Sequence, residues 1–255
     1  MDIRWGIQLY SVRKEAEQDL SGTLAKLAGI GYEAVEFHQY YGKPASELRA
    51  VLDRCRITPL SGMASWSALQ EGLDSVIRYQ LDLGSHFLVC PSAPLESLAD
   101  YFNAAVFLNQ VGRTCREQGI TFCYHHHEHE FVRFNSVYGL DILCDKTNPD
   151  WVKLELDTGN LMFAGIEPYG YFAKHANRCP ILHLKDHLPG QIRGSTDLGS
   201  GQLELTRLIH AAIVAGTDWL VYEQEHSTDS FASARIALNI MTAAIRNESG
   251  MLDAR

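Results

Sequence analysis

The feature that most restricts what this chain can fold into is an alternation. Short apolar runs occupy residues 3–9, 33–37, 57–61, 85–90, 120–124, 151–157, 181–184 and 219–222. Runs of that length, bounded by turn residues, read as buried strands, and the apolar spacing of three and four residues between them reads as helices. The helices are expected near residues 19–30, 44–55, 68–83, 96–118, 137–146, 202–215 and 229–246, with one more opening at Glu167-Pro168. Glycines such as Gly31, Gly84, Gly119 and Gly216 stand between a helix and the next strand, where a left-handed residue closes the helix. No Pro-, Gly- or Ser-rich linker divides the 255 residues. Strands joined in this way by helices lie parallel, and eight such units close most simply into one (β/α)8 barrel, a single domain over residues 1–255. A doubly wound open sheet would want a Gly-rich phosphate loop after its first strand, and none follows residue 9.

Composition narrows the partners. A formal net charge of -9 disfavours a surface that tracks phosphates, because nucleic-acid binding relies on clustered Lys and Arg. Six cysteines are scattered without a CxxC pair, which reads as reduced core thiols and a reducing compartment. The first residues enter a strand pattern without signal-peptide architecture, and no apolar run reaches the roughly 18 residues of a membrane span. The expectation is a cytoplasmic protein with a small-molecule partner, neither nucleic acid nor membrane.

In a barrel of this kind chemistry is carried at the C-terminal ends of the strands. The central stretch is Lys153-Leu-Glu-Leu-Asp-Thr-Gly-Asn160, where alternation places Glu155 and Asp157 on one face of a buried strand. Two buried acids on one face are costly unless something positive sits beside them. Strand five ends in His125 and His127, strand seven in His183 and Lys185, and strand eight in Glu223 and Glu225. Mixed imidazole and carboxylate ligands suit one divalent ion such as Mn, Mg, Co or Zn. Asp157, His183 and Glu223 each follow directly on an apolar run. Glu155 lies one pleat deeper and is expected to form a structural ion pair with Lys153 or an arginine. Against the metal reading, a single strand-end histidine is commonly structural, and residues 125–130 read equally as a solvated polar loop.

The motifs Gly6-Ile-Gln-Leu-Tyr-Ser-Val-Arg13, Gly31-Tyr-Glu-Ala-Val-Glu36, Tyr124-His-His-His127, Glu155-Leu-Asp-Thr-Gly-Asn160, His183-Leu-Lys-Asp186 and Tyr222-Glu-Gln224 together resemble the xylose isomerase-like TIM barrels, in particular the sugar phosphate isomerase/epimerase group. The resemblance implies a divalent ion held by Asp157, His183 and Glu223, with His125 standing where the group's epimerases carry a strand-five glutamate. It implies an isomerase or epimerase that removes a proton next to the carbonyl of a keto sugar. A lyase or dehydratase of a keto sugar or keto-inositol, as in inosose dehydratase, is the alternative, and a catalytically silent sugar-binding barrel is a third. The group's DNA-repair nuclease branch is disfavoured by the acidic charge. Within this reading Glu223 removes the proton, His127 or His125 serves as the opposing acid or base, and Lys185 steadies the developing oxyanion. Gln8, Tyr10 and Glu36 are expected to bind substrate hydroxyls, with Glu36 orienting another side chain as the alternative. Trp66, Tyr40 and Tyr41 would form an apolar wall, with simple loop packing as the alternative, and Arg193 reads as a solvated loop residue, with a phosphate contact as the alternative. Homodimer formation is a further expectation from the resemblance alone.

Overall fold

A computed structural model describes residues 3–190 and 195–252, with side chains as far as Ala244. Eight strands form the barrel: β1 (Arg4–Gln8), β2 (Ala34–Phe37), β3 (Thr58–Met63), β4 (Phe87–Cys90), β5 (Thr121–His125), β6 (Val152–Asp157), β7 (Ile181–Leu184) and β8 (Trp219–Tyr222). Each pairs in parallel with its neighbours in the chain, and β8 returns to β1 through the register Arg4↔Trp219, so the sheet closes. Strands β2, β4, β7 and β8 are buried at every residue, as parallel strands covered on both faces must be.

Two apolar clusters hold the fold. The larger lies between strands and helices and includes Ile7, Val35, Phe37, Leu154, Leu156 and Leu182. The smaller consists of inward-facing residues, among them Ala34, Leu60, Cys123, Ile181, Trp219 and Val221. Continuing that inward alternation by two residues leads from Cys123 to His125, from Ile181 to His183 and from Val221 to Glu223. A polar layer therefore rests on an apolar one inside the barrel.

The expected outer helices form, beginning with Leu20–Ile30, whose first turn is capped by Asp19 accepting from the Gly22 N–H at 2.9 Å. Gly84 and Gly216, at φ 84° and 77°, end the helices Trp66–Leu83 and Leu205–Ala215. The last helix, Ser230–Leu252, runs past the expected end near residue 246. Additions to the expected pattern gather mainly at the C-terminal mouth: the 3-10 turns Leu9–Val12 and Glu128–Phe131, the helices Arg13–Gln18 and Thr158–Phe163, and the antiparallel pairing of Asp186–His187 with Ser195–Thr196. Among the described residues no helix is long and apolar enough to cross a membrane. The six cysteines are free thiols.

Candidate metal centre and active site

Barrel register brings the polar tips together. Gln8 lies opposite Glu36 and Glu36 opposite Ser61; His125 lies opposite Glu155 and Asp157 opposite His183. Paired residues of neighbouring parallel strands point to the same face, so each couple can touch. His125 Nδ1 is 2.9 Å from Glu155 Oε1. His183 spans two levels: Nδ1 lies 2.9 Å from Glu223 Oε2 and 3.9 Å from Asp157 Oδ2, while Nε2 lies 2.9 Å from Glu36 Oε1 and 3.3 Å from Glu155 Oε1. Above it the Lys185 ammonium sits 3.0 Å from Asp157 Oδ2, 3.3 Å from Glu223 Oε1 and 3.1 Å from Glu225 Oε1.

The run after Asp157 holds this arrangement in place. The Asp157 Oδ1 accepts the Asn160 N–H at 2.9 Å as the cap of helix Thr158–Phe163, which leaves Oδ2 turned to the site. The Thr158 hydroxyl accepts from the Lys185 N–H at 2.8 Å and donates to the Lys185 carbonyl at 2.7 Å. A Cβ on Gly159 would stand 2.7 Å from the Lys185 Cβ, so only glycine lets the helix approach this closely. Asn160 Nδ2 donates to the His126 carbonyl at 2.9 Å, and the buried His126 ring accepts the Asp157 N–H at 3.0 Å through Nε2. His126 is a supporting residue that the sequence reading passed over, because its side chain leaves the barrel interior.

Electrostatics follow from burial and these neighbours. Burial works against ionising Asp157 and Glu223, yet the Lys185 ammonium and the His183 ring outweigh it; Asp157 is held well below the usual carboxylate range and Glu223 falls to about 2. Burial and the nearby Glu36 carboxylate push Glu155 well upward. Burial also works against Glu36, but the adjacent His183 brings it down. His183 itself is driven up by Glu155 and Glu36 despite its burial, while burial followed by the His183 charge lowers His125.

The donor set fits a divalent ion. Asp157, His183 and Glu223 are buried and offer ligating atoms all within 4.8 Å of one another. Asp157 Oδ2 has no aligned hydrogen bond, its contact with Lys185 being an ion pair only. One imidazole with two carboxylates suits Mn, Co or Zn. His125 belongs to a different group, with Glu155 and His183, so the structure does not gather the four expected ligands around one point. Nor does Glu155 pair with Lys153 or an arginine: its partners are His125 and His183, because the barrel interior at its level is lined by imidazoles.

Above this centre opens a cavity of about 440 Å³ lined by residues that include Gln8, Tyr10, His125, His127, Lys185 and Glu223. His38, Met63 and Glu225 line it too without having been assigned roles; their signal was position, since each stands at or just past a strand end. Two expectations are corrected. Trp66 is absent from the lining: it opens its helix and stacks on Phe107, centroids 4.4 Å apart, because that helix packs outward against its neighbour. Glu36 is fully buried beneath the cavity, with its oxygens taken by Gln8, Ser61 and His183, so it does not reach the cavity where hydroxyls would sit. Tyr40 packs on Tyr79 and Tyr41 on His38. Arg193 lies outside the described residues.

A closed (β/α)8 barrel with imidazoles and carboxylates at its C-terminal mouth defines a class of small-molecule site rather than one reaction. The chain belongs to the xylose isomerase-like TIM barrel family, whose profile matches residues 24–244. It is similar to an inosose dehydratase of Bacillus cereus (strain AH820), 37% identical over 194 residues, which are 67% of this chain and 64% of that protein. The match thus spans less than two thirds of that relative's length. Among solved structures, a sugar phosphate isomerase/epimerase from Parabacteroides distasonis ATCC 8503 superposes with a TM-score of 0.81 at 21% identity, covering 96% of each chain. The IOLI protein with a binding zinc atom gives 0.77 at 13% identity, over 96% of this chain and 99% of that one. At these identities the structural likeness establishes the fold.

Proposed function

We propose that the chain is a divalent-metal-dependent lyase that eliminates water beside the carbonyl of a keto-inositol or similar cyclic keto sugar, beginning with removal of the proton next to that carbonyl. The observation that carries this reading is the His125–Glu155 pair standing beside the Asp157, His183 and Glu223 group under one cavity. The similarity to an inosose dehydratase supports the choice of substrate, and a zinc-bearing structural neighbour supports the metal. A cavity of about 440 Å³ suits a ring of that size, since small-molecule sites begin at roughly 300 Å³.

Asp157, His183 through Nδ1, and Glu223 would hold the ion. When bound there it supplies Lewis acidity toward the substrate carbonyl. In this reading Glu155 accepts from the Nδ1–H of His125, the tautomer that leaves Nε2 with a lone pair as the proton acceptor. His183 would take the opposite tautomer, with Nδ1 toward Asp157 and Glu223 and the Nε2 proton toward Glu36. Lys185 keeps its proton, because three carboxylates surround its ammonium, and acts as a hydrogen-bond donor to developing negative charge on oxygen. Gln8 and Glu225 meet hydroxyls at the cavity wall. The proton taken from carbon and the hydroxyl lost from the next carbon leave together as water, and the product keeps its carbonyl conjugated to a new double bond.

Epimerisation is the second reading, favoured by the presence of both His125 and Glu223 on the cavity wall, two groups able to exchange protons with one carbon. Incubating metal-loaded protein with a keto-inositol in deuterated water separates the two. Water loss with a rise in ultraviolet absorbance is expected; deuterium uptake without water loss means epimerisation, and neither result with keto-inositols or keto sugars rejects the proposal.

A further inference from the structure

The run Tyr124-His-His-His-Glu-His-Glu130 is only partly used by the site described above. His125 faces the barrel interior and His126 is pinned behind Asp157, which leaves residues 127–130, and among them His127, His129 and Glu130 converge. The 3-10 turn Glu128–Phe131 gathers these three at the rim of the mouth. Their ligating atoms all lie within 4.8 Å of one another. The His127 and His129 rings are nearly parallel, 10° apart in plane with centroids 5.6 Å apart. His129 Nε2 is 3.3 Å from Glu130 Oε1. That spacing is about the edge of a tetrahedron whose metal–ligand bonds are roughly 2.0–2.1 Å long.

The carboxylate has a structural role that accounts for part of this. Glu130 is fully buried, its Oε1 accepting from the Tyr124 hydroxyl at 2.6 Å and its Oε2 from the His127 N–H at 2.9 Å, the latter closing a capping interaction. The contacts with His129 and Tyr124 and the capping bond together keep Glu130 ionised against its burial. They do not explain why the buried His127 Nδ1 has no hydrogen-bond partner, which a bound cation accounts for. His127 and His129 also line a second cavity of about 400 Å³, whose wall includes Ser92, Asn160 and Phe163 and which shares His127 and Glu225 with the first. A fourth coordination position is therefore open to water or to a ligand reaching across the rim.

We infer that His127, His129 and Glu130 form a second, separate site for a transition divalent cation of the zinc or cobalt kind. Two imidazoles and one carboxylate with an open position match zinc chemistry, whereas calcium and magnesium call for sets made almost wholly of oxygen. The site shares no ligand with Asp157, His183 and Glu223, so it stands or falls independently of the proposed reaction. It assigns His127 to metal binding at the rim rather than to proton transfer. Its ion clamps the segment that follows β5 against the mouth.

The test is cobalt stoichiometry and visible absorption on the whole chain, comparing wild type, H129A and D157N; His129 is half exposed and outside the proposed catalytic set. Asp157→Asn keeps a capping oxygen and removes the first site's charge. At micromolar cobalt the H129A protein is expected to bind one ion fewer than wild type, and D157N is expected to keep an ion with tetrahedral absorption that H129A then removes in the double variant. If wild type binds a single ion that H129A abolishes, the first centre fails and this one stands. Unchanged stoichiometry in H129A, or binding at millimolar cobalt only, overturns the inference. A circular dichroism spectrum matching wild type certifies that each variant is folded.

Discussion

Asp157 and Glu223 at the barrel mouth and Glu155 one layer beneath are alike in chemistry and burial but are held in opposite ionisation states. Asp157 and Glu223 face Lys185 and stay charged, while Glu155, next to Glu36 and beyond the reach of Lys185, is pushed toward its protonated form. Both layers touch His183, one through each ring nitrogen. The difference is therefore set by a second cation, not by depth. A carboxylate with two positive neighbours stays ionised, whereas two carboxylates sharing one imidazole keep a proton between them.

Removing the residue common to both layers has the largest expected effect. His183→Ala leaves buried charges uncompensated above and below, and a loss of about 3–5 kcal/mol in urea unfolding is expected together with loss of metal at the first centre. Unaltered stability would show that the layers do not communicate through this ring. Lys185→Met attacks the mouth alone: metal-free protein should lose a few kcal/mol, roughly the cost of breaking a buried pair. Its divalent-ion affinity should rise about tenfold, because a neighbouring positive charge is gone. Calorimetric titration with and without a chelator decides this, and weaker binding in the variant would mean that Lys185 supports the ion rather than opposing it.

Glu155→Gln tests the lower layer. Because Glu155 favours its neutral form, the amide should change stability by no more than about 1 kcal/mol. Turnover should nonetheless fall about 10–100-fold, since the amide cannot ionise and can turn its NH2 to His125 Nδ1, which reverses the tautomer the reaction needs. A stability loss as large as that of His183→Ala would mean that Glu155 is charged in the fold.

The smallest effect comes from a carboxylate outside the barrel, Asp141, which has partners but is only partly buried. Hydrogen bonds from His175, Lys174 and Tyr171 overcome its partial burial and bring it to about 2. A group lowered in the folded state stabilises above its unfolded value, near 3.8, and loses that contribution as pH falls toward 2. After discounting for solvent screening, Asp141→Asn should remove about 1 kcal/mol at neutral pH and almost nothing at pH 2, as read from paired denaturation curves.

Much of the architecture was legible before any coordinates. Each strand predicted from apolar run length is present, and parity along β6 placed Glu155 and Asp157 on one face at successive depths. The convergence of Asp157, His183 and Glu223 was equally readable, because each follows directly on a short apolar run. Partners were not readable. Glu155 meets His125 because Tyr124 pairs with Leu154 one step earlier in the register, an interstrand fact. Trp66 has the composition of a sugar wall, but the direction of its helix turns it onto Phe107. Glu36 stands at a strand end like the other site residues, yet a register shift between Val35 and Glu36 sets it opposite Ser61 and beneath the cavity.

The sequence alone determined the alternation of strand and helix, the closed barrel that eight such units prefer, and the set of side chains delivered to its mouth, since these rest on periods of two and 3.6 residues within single elements. The tertiary structure decided which carboxylate each nitrogen of His183 meets, which acids Lys185 reaches, and how residues 127–130 fold into a rim of their own. Those outcomes depend on how neighbouring strands slide against one another when the barrel closes, and on the positions of loops that no periodicity constrains.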